Sequence, residues 1–237
     1  MSLGARGAEA VKSRKLGSEN AIVVQLPAER FMGGIPPFYE PPVDEQGRYR
    51  IMLLAQDCSR CSFGDREAGA VHELHMWLQL GSAAEDSGPI AGVDVSLPSQ
   101  QWLALFVATD NPVVEANLRS FGFDPARLTG AELGTGGGSL ALQDGARLEW
   151  FVAGDGRGPA TVGVHHAIFM PGDGPGATPH RVAALISDAV MGQPGEVRVH
   201  GASLEPFLLS GERLRALVHR MPALEADIVW RRRPQAS

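Results

Sequence analysis

The chain has 237 residues, enough to bury a sizeable core in one domain without disulfide or metal staples. Its net charge of −6 argues against a nucleic-acid or membrane-surface partner, since both need a basic field. With 44% hydrophobic residues, 29 glycines and 17 prolines, it has the composition of a turn-rich, strand-rich globular protein.

Residues 1–18 are small and polar, without periodicity, and are expected to form a flexible tail. They hold both lysines of the chain, Lys12 and Lys15, so the folded interior is expected to be free of lysine. The rest, 19–237, reads as a single domain, because no linker or repeat divides it. Residues 20–26 predict a strand. The Pro36-Pro37 and Pro41-Pro42 pairs make the segment from Met32 to Gln46 a loop. Apolar runs at 48–57, 70–80 and 101–109 predict three further strands, with a polar loop over 81–99.

A helix is predicted after Thr109. Asp110 or Asn111 can cap it, Pro112 suits its first turn, and Gly122 can end it. Val114, Leu118 and Phe121 would form its apolar face. Short strands are expected near 128–134, 138–143 and 147–153, and longer ones at 161–170 and 196–207; the alanines of 181–191 allow a helix, and a strand is favoured there. The segment 211–220 is read as a short helix capped by Ser210, and 224–231 as the strand that closes the sheet. The fold class is therefore α+β, mostly antiparallel β, barrel-like or two-layered, with two or three short helices.

Few motifs suggest chemistry. Cys58 and Cys61 form a C-x-x-C at the end of an apolar strand, with no second pair to complete a metal site. His72 and His75 are spaced i, i+3 on a strand, so they point to opposite faces and should share no metal. Glu73 lies between them. A carboxylate on a buried strand must be paired, protonated or functional. His165 and His166 also face opposite ways, which turns one inward. The run Gly134-Thr135-Gly136-Gly137-Gly138 lacks a following P-loop lysine and reads as a hairpin turn. Arg231-Arg232-Arg233 reads as a solvated terminal run. No metal or other cofactor is expected. No segment approaches the roughly 18 apolar residues of a spanning helix, and no export signal is visible at the start, so a cytoplasmic setting is expected.

Residues 101–153 run strand, capped helix, Pro125-Ala126-Arg127-Leu128, then a hairpin ending in Leu148-Glu149-Trp150. With Tyr49-Arg50-Ile51-Met52 and the close Leu224-Glu225-Ala226-Asp227-Ile228-Val229, this order resembles the acetoacetate decarboxylase-like superfamily over roughly residues 20–231. The resemblance implies a cone-like antiparallel β-barrel with an apolar internal pocket. In that family an aromatic-Pro-Lys-Lys-Leu motif supplies a Schiff-base lysine, and the second lysine, a cationic neighbour, lowers the pKa of the first. Here Ala126 stands at the first motif position and Arg127 at the second. The resemblance therefore implies a divergent member without that lysine. It also implies a pocket glutamate, best matched by Glu73, with Glu67 as runner-up, and it places Arg50 where relatives carry an acid.

On this basis three readings stay open. The chain binds a small keto acid or other carboxylate, held by Arg127, Arg50 and Ala126, and transforms it with Glu73 or His72 in a lyase- or isomerase-type reaction without a lysine Schiff base. Alternatively it binds or senses such a ligand without turnover, or it is a structural, oligomer-forming domain. A cavity of about 300 Å³ or more lined by Arg127 and Glu73 would support the first two; a filled interior would support the third. Exposed strand edges make a homo-oligomer plausible.

Overall fold

The computed structural model of the protein describes residues 10–90, 93–174, 177–208 and 210–231. Ten strands make up one sheet: β1 (Ala10–Pro27), β2 (Arg48–Phe63), β3 (Arg66–Ile90), β4 (Val93–Thr109), β5 (Ala126–Gly134), β6 (Gly137–Leu142), β7 (Arg147–Val152), β8 (Arg157–Phe169), β9 (His180–His200) and β10 (Arg213–Arg231). The spatial order is β10-β1-β2-β3-β4-β5-β6-β7-β9-β8. Further pairings of β10 with β9 and of β4 with β8 close the sheet into a ring. Nearly all pairs are antiparallel; β4 alone runs parallel to its partners β5 and β8.

The ring follows from how β4 and β9 divide their length. β4 pairs with β8 through Ser99–Leu103 and with β5 through Ala108–Thr109. β9 pairs with β8 through its first half and with β7 through residues 195–200. The shared strands therefore wrap two interiors, one on each face. The first contains Ala21, Met52, Leu54, Trp77, Trp102, Ile186, Ile228 and Trp230. The second contains Ile22, Val24, Leu53, Leu74, Met76, Leu148, Trp150 and Val197. Neighbouring residues such as Ala21 and Ile22, or Leu53 and Leu54, serve opposite interiors. This explains why these strands read as continuous apolar runs rather than alternating ones.

The expectation of a mostly antiparallel β fold is met. The helix α1 (Pro112–Ser120) forms as predicted, with Pro112 at its start. Asn111 Oδ1 accepts hydrogen bonds from the backbone N–H of Val113 (2.9 Å) and Val114 (3.3 Å). Val114, Leu118 and Phe121 are buried beneath it. The Gly-rich segment is the β5–β6 turn.

Three expectations are corrected. Residues 213–220 are not helical but open β10: Ala216 and Val218 point inward while Arg215 and Leu217 stay exposed, a period of two. Pairing on both sides, with β1 and β9, overrides the helical propensity of its Leu, Arg and Ala residues. Residues 81–90 and 93–99 are not loop, because they extend β3 and β4, which pair with each other along them; residues 91 and 92 lie outside the described residues. Residues 10–18 are not a tail but the first half of β1, paired with β10 and β2; residues 1–9 lie outside the described residues. Among the described residues no helix is long and apolar enough to cross a membrane.

Candidate functional site

β1 is central between β2 and β10, and its bulge near Gly17 brings its backbone against Asp57 and Cys58, too close for a side chain at that position. Beyond the bulge the registers are regular. They set Met221, Glu19, Gln56 and Glu73 side by side across β10, β1, β2 and β3. The next row on this face is His219, Ala21, Leu54 and His75. The row after that is Leu217, Val23, Met52 and Trp77. One face of four strands thus passes from a polar to an apolar end within a few residues.

Lys15 joins the polar end. Its side chain is 1% exposed, and that of Glu73 is 0% exposed. This overturns the expectation of an interior without lysine. The Lys15 ammonium donates to Glu73 Oε2 and to Gln56 Oε1 (2.9 Å), and Gln56 Nε2 donates to Glu19 Oε2. An ammonium has three protons to donate; the third has no acceptor among the described residues. Glu73 Oε1 is likewise buried without a hydrogen-bond partner. His75 Nε2 is 3.5 Å from it, too far for a good bond.

The protonation states follow from burial and these contacts. Burial opposes ionisation of Glu73, but the Lys15 charge and the nearby His75 outweigh it and hold its pKa down at about 2. Burial would lower the Lys15 pKa too, but Glu73 reverses the sign and raises it above the ordinary lysine value. Lys15 is therefore an ammonium and Glu73 a carboxylate across the neutral range. Glu19 is raised by burial, against the pull of Gln56 and Lys15. Burial lowers His75, helped by the Lys15 charge. Burial also pushes His166 down to about 4. Both imidazoles are neutral at pH 7.

Lys15, Glu19, Gln56, His75 and His166 wall a cavity of about 50 Å³. The remaining walls are apolar, from Met52, Leu54, Trp77, Ile168, Ile186, Ile228 and Trp230 among others. A single water needs roughly 10–15 Å³ by this measure, so the space admits a group of a few non-hydrogen atoms. Trp102 Nε1 donates to His166 Nδ1 (3.1 Å), fixing that ring and its tautomer. Cys58 and Cys61 are free, fully buried thiols in the same interior, and burial pushes them up to about 12 and about 11. At neutral pH they are protonated.

The residues singled out from the sequence fall in different places. Glu73 lies one hydrogen bond behind the cavity wall, on Lys15. His72 is on the opposite face of β3, where its Nδ1 meets Asp110 Oδ2 at 2.7 Å, away from the cavity. Glu67 is exposed and pairs with Arg60. Ala126 packs toward the second interior and Arg127 is exposed at the start of β5; neither lines the cavity. Arg50 lines a separate groove. The cavity is smaller than the expected 300 Å³ and has other walls. Among the described residues no cluster of His, Cys, Asp and Glu could hold a metal ion.

No protein-family model matches the chain, and no curated protein matches it. Solved structures with a similar chain path include the enduracididine biosynthesis enzyme MppR complexed with pyruvate. It is 12% identical, with a TM-score of 0.46, covering 96% of this chain and 91% of that one. An acetoacetate decarboxylase-like enzyme from Sphingomonas wittichii RW1 is 13% identical, with a TM-score of 0.48 and coverages of 96% and 94%. The acetoacetate decarboxylase from Legionella pneumophila is 11% identical, with a TM-score of 0.49 and coverages of 93% and 85%. At such identities the functional chemistry has to come from the residues of this chain.

Proposed function

We propose that this chain binds a small keto acid or related carbonyl compound in the Lys15 cavity and catalyses proton transfer on it. The observation that carries this is the buried Lys15 ammonium at the cavity wall, with one proton left to donate. An ion pair taken out of water costs several kcal/mol per ion before its attraction is counted. A ligand oxygen would supply the missing acceptor, and the apolar walls would take the hydrocarbon part.

Lys15 acts here as an ammonium that polarises a carbonyl, not as a free amine that attacks it. Glu73 holds it in that state. His75 lines the cavity as a neutral imidazole, with the Glu73 carboxylate at 3.5 Å, and is the base for a proton next to the carbonyl. As that proton leaves, charge develops on the carbonyl oxygen, which the fixed ammonium stabilises. Glu73, behind the cavity wall, holds the Lys15 ammonium in place. The reaction is an enolisation, and the class is isomerase- or lyase-like.

Pyruvate tests this. In D₂O its methyl protons should exchange faster with the protein than without it, followed by NMR. His75→Gln should lower that rate by about 10²–10⁴-fold. Borohydride with pyruvate should trap no adduct on Lys15. A stable Lys15 adduct would replace this mechanism by a Schiff base. Binding without exchange would leave a binding protein, and absence of both binding and exchange would end the proposal.

A further inference from the structure

The same sheet face continues past its apolar rows to an end with different chemistry. Gln25 pairs with Arg50 on β2, and Arg215 on β10 pairs with Glu196 on β9. Val24 pairs with Ala216, so Gln25 also stands beside Arg215. Four neighbouring strands therefore carry Arg50, Gln25, Arg215 and Glu196 in one row. They wall an open groove of about 680 Å³, with Val23, Pro194 and the half-exposed Leu217. Strand spacing puts the Arg50 and Arg215 backbones roughly 10 Å apart, within reach of one ligand for side chains of this length.

Glu196, the one acid in the row, has Arg213 at 3.7 Å. Neither Arg50 nor Arg215 has a carboxylate within ion-pair distance among the described residues. On the same side of β9 and β7, Arg198 lies over the Phe151 ring at 5.9 Å, and Phe151 is 48% exposed. The row is thus locally basic in a protein whose net charge is −6. Its field reaches inward: burial lowers the pKa of His219, and the Arg50 charge lowers it further. Arginine forks are suited to planar or tetrahedral oxyanions.

We infer that this groove is a binding site for an organic anion, whose carboxylate or phosphate groups are held by Arg50 and Arg215 and whose apolar body rests on Leu217. The groove and the Lys15 cavity share no lining residue, and Arg50 lies six positions along β2 from Gln56 at the cavity's polar end, roughly 20 Å, so the site is distinct and does not depend on the cavity's chemistry. The volume suits a ligand much larger than the cavity admits.

Citrate and inorganic pyrophosphate are the probes, carboxylate against phosphate, titrated by calorimetry at two salt concentrations. At least one should bind saturably and more weakly at high salt. Arg50→Gln and Arg215→Gln should each weaken it roughly tenfold or more. Arg60→Gln removes the same charge from an exposed site paired with Glu67 and should leave binding unchanged. All three positions are exposed, and matched thermal melts check that the variants fold. The inference fails if neither probe binds, or if Arg60→Gln weakens binding as much as the groove variants. It also fails if Arg50→Gln and Arg215→Gln instead dissociate an oligomer that neither anion perturbs.

Discussion

The two interiors share strands but differ in kind. On one face of β1 and β2, Ile22, Val24, Ile51, Leu53 and Ala55 pack with Leu74, Leu148 and Val197 in an apolar cluster. On the other face the same strands supply Lys15, Glu19 and Gln56 beside Met52 and Leu54, and a cavity remains. The first arrangement is what a stable fold needs. The second keeps charges out of water at a cost that apolar residues of similar volume would avoid. Stability alone therefore accounts for the apolar interior, and the polar one is where function is to be sought.

Substitutions on each side put this contrast at risk. The largest effect is expected in the polar interior. Glu73→Gln leaves the Lys15 ammonium buried without its counter-charge and should cost about 3–5 kcal/mol in denaturant unfolding. Removing both charges with Lys15→Met and Glu73→Gln should recover part of that loss. In the apolar interior Leu53→Ala should cost about 2–5 kcal/mol by leaving a cavity, with pyruvate exchange retained once the protein is folded. Equal recovery by a second substitution there would erase the contrast.

Acid should also distinguish the two sides. His166 has its folded pKa depressed to about 4. Between its ordinary value near 6.5 and about 4, the unfolded chain binds a proton that the folded chain does not. Stability should therefore fall as pH drops through that window, by about 3 kcal/mol from this residue. Glu73 adds a loss of the same sign from the ordinary glutamate pKa near 4.5 down to about 2. Urea midpoints against pH should show the first slope flattened in His166→Gln. The smallest effect is expected outside both interiors: Asn111→Ala removes the α1 cap and should cost about 1 kcal/mol.

Much of this architecture was legible in the sequence because local signals agreed with the fold. The α1 cap at Asn111-Pro112 and the Gly-rich β5–β6 turn are local chemistry, and both form where expected. The first half of β1 was not legible. Its inward residues are Ser13 and Lys15, so it shows no apolar alternation; what makes it a strand is two-sided pairing and partners from Gln56 and Glu73, far away in sequence. The same polar character hid Lys15 as a buried group. A chain with two lysines among 21 basic residues offered one clue, and it pointed only to rarity. Residues 211–220 failed for the converse reason: strong helical propensity was outweighed by pairing with two neighbours. Ala126 and Arg127 match a motif in order, but the fold sets them against the other interior and at the surface.

With only Lys12 and Lys15 present, side-chain ¹⁵N NMR of the lysine ammonium groups isolates the central group directly. The Lys15 ammonium should stay protonated above the pH where an ordinary lysine titrates, near 10.4, and its signal should shift when pyruvate is added. A Lys15 amine that titrates at or below that ordinary value, or a signal indifferent to saturating pyruvate, would contradict this.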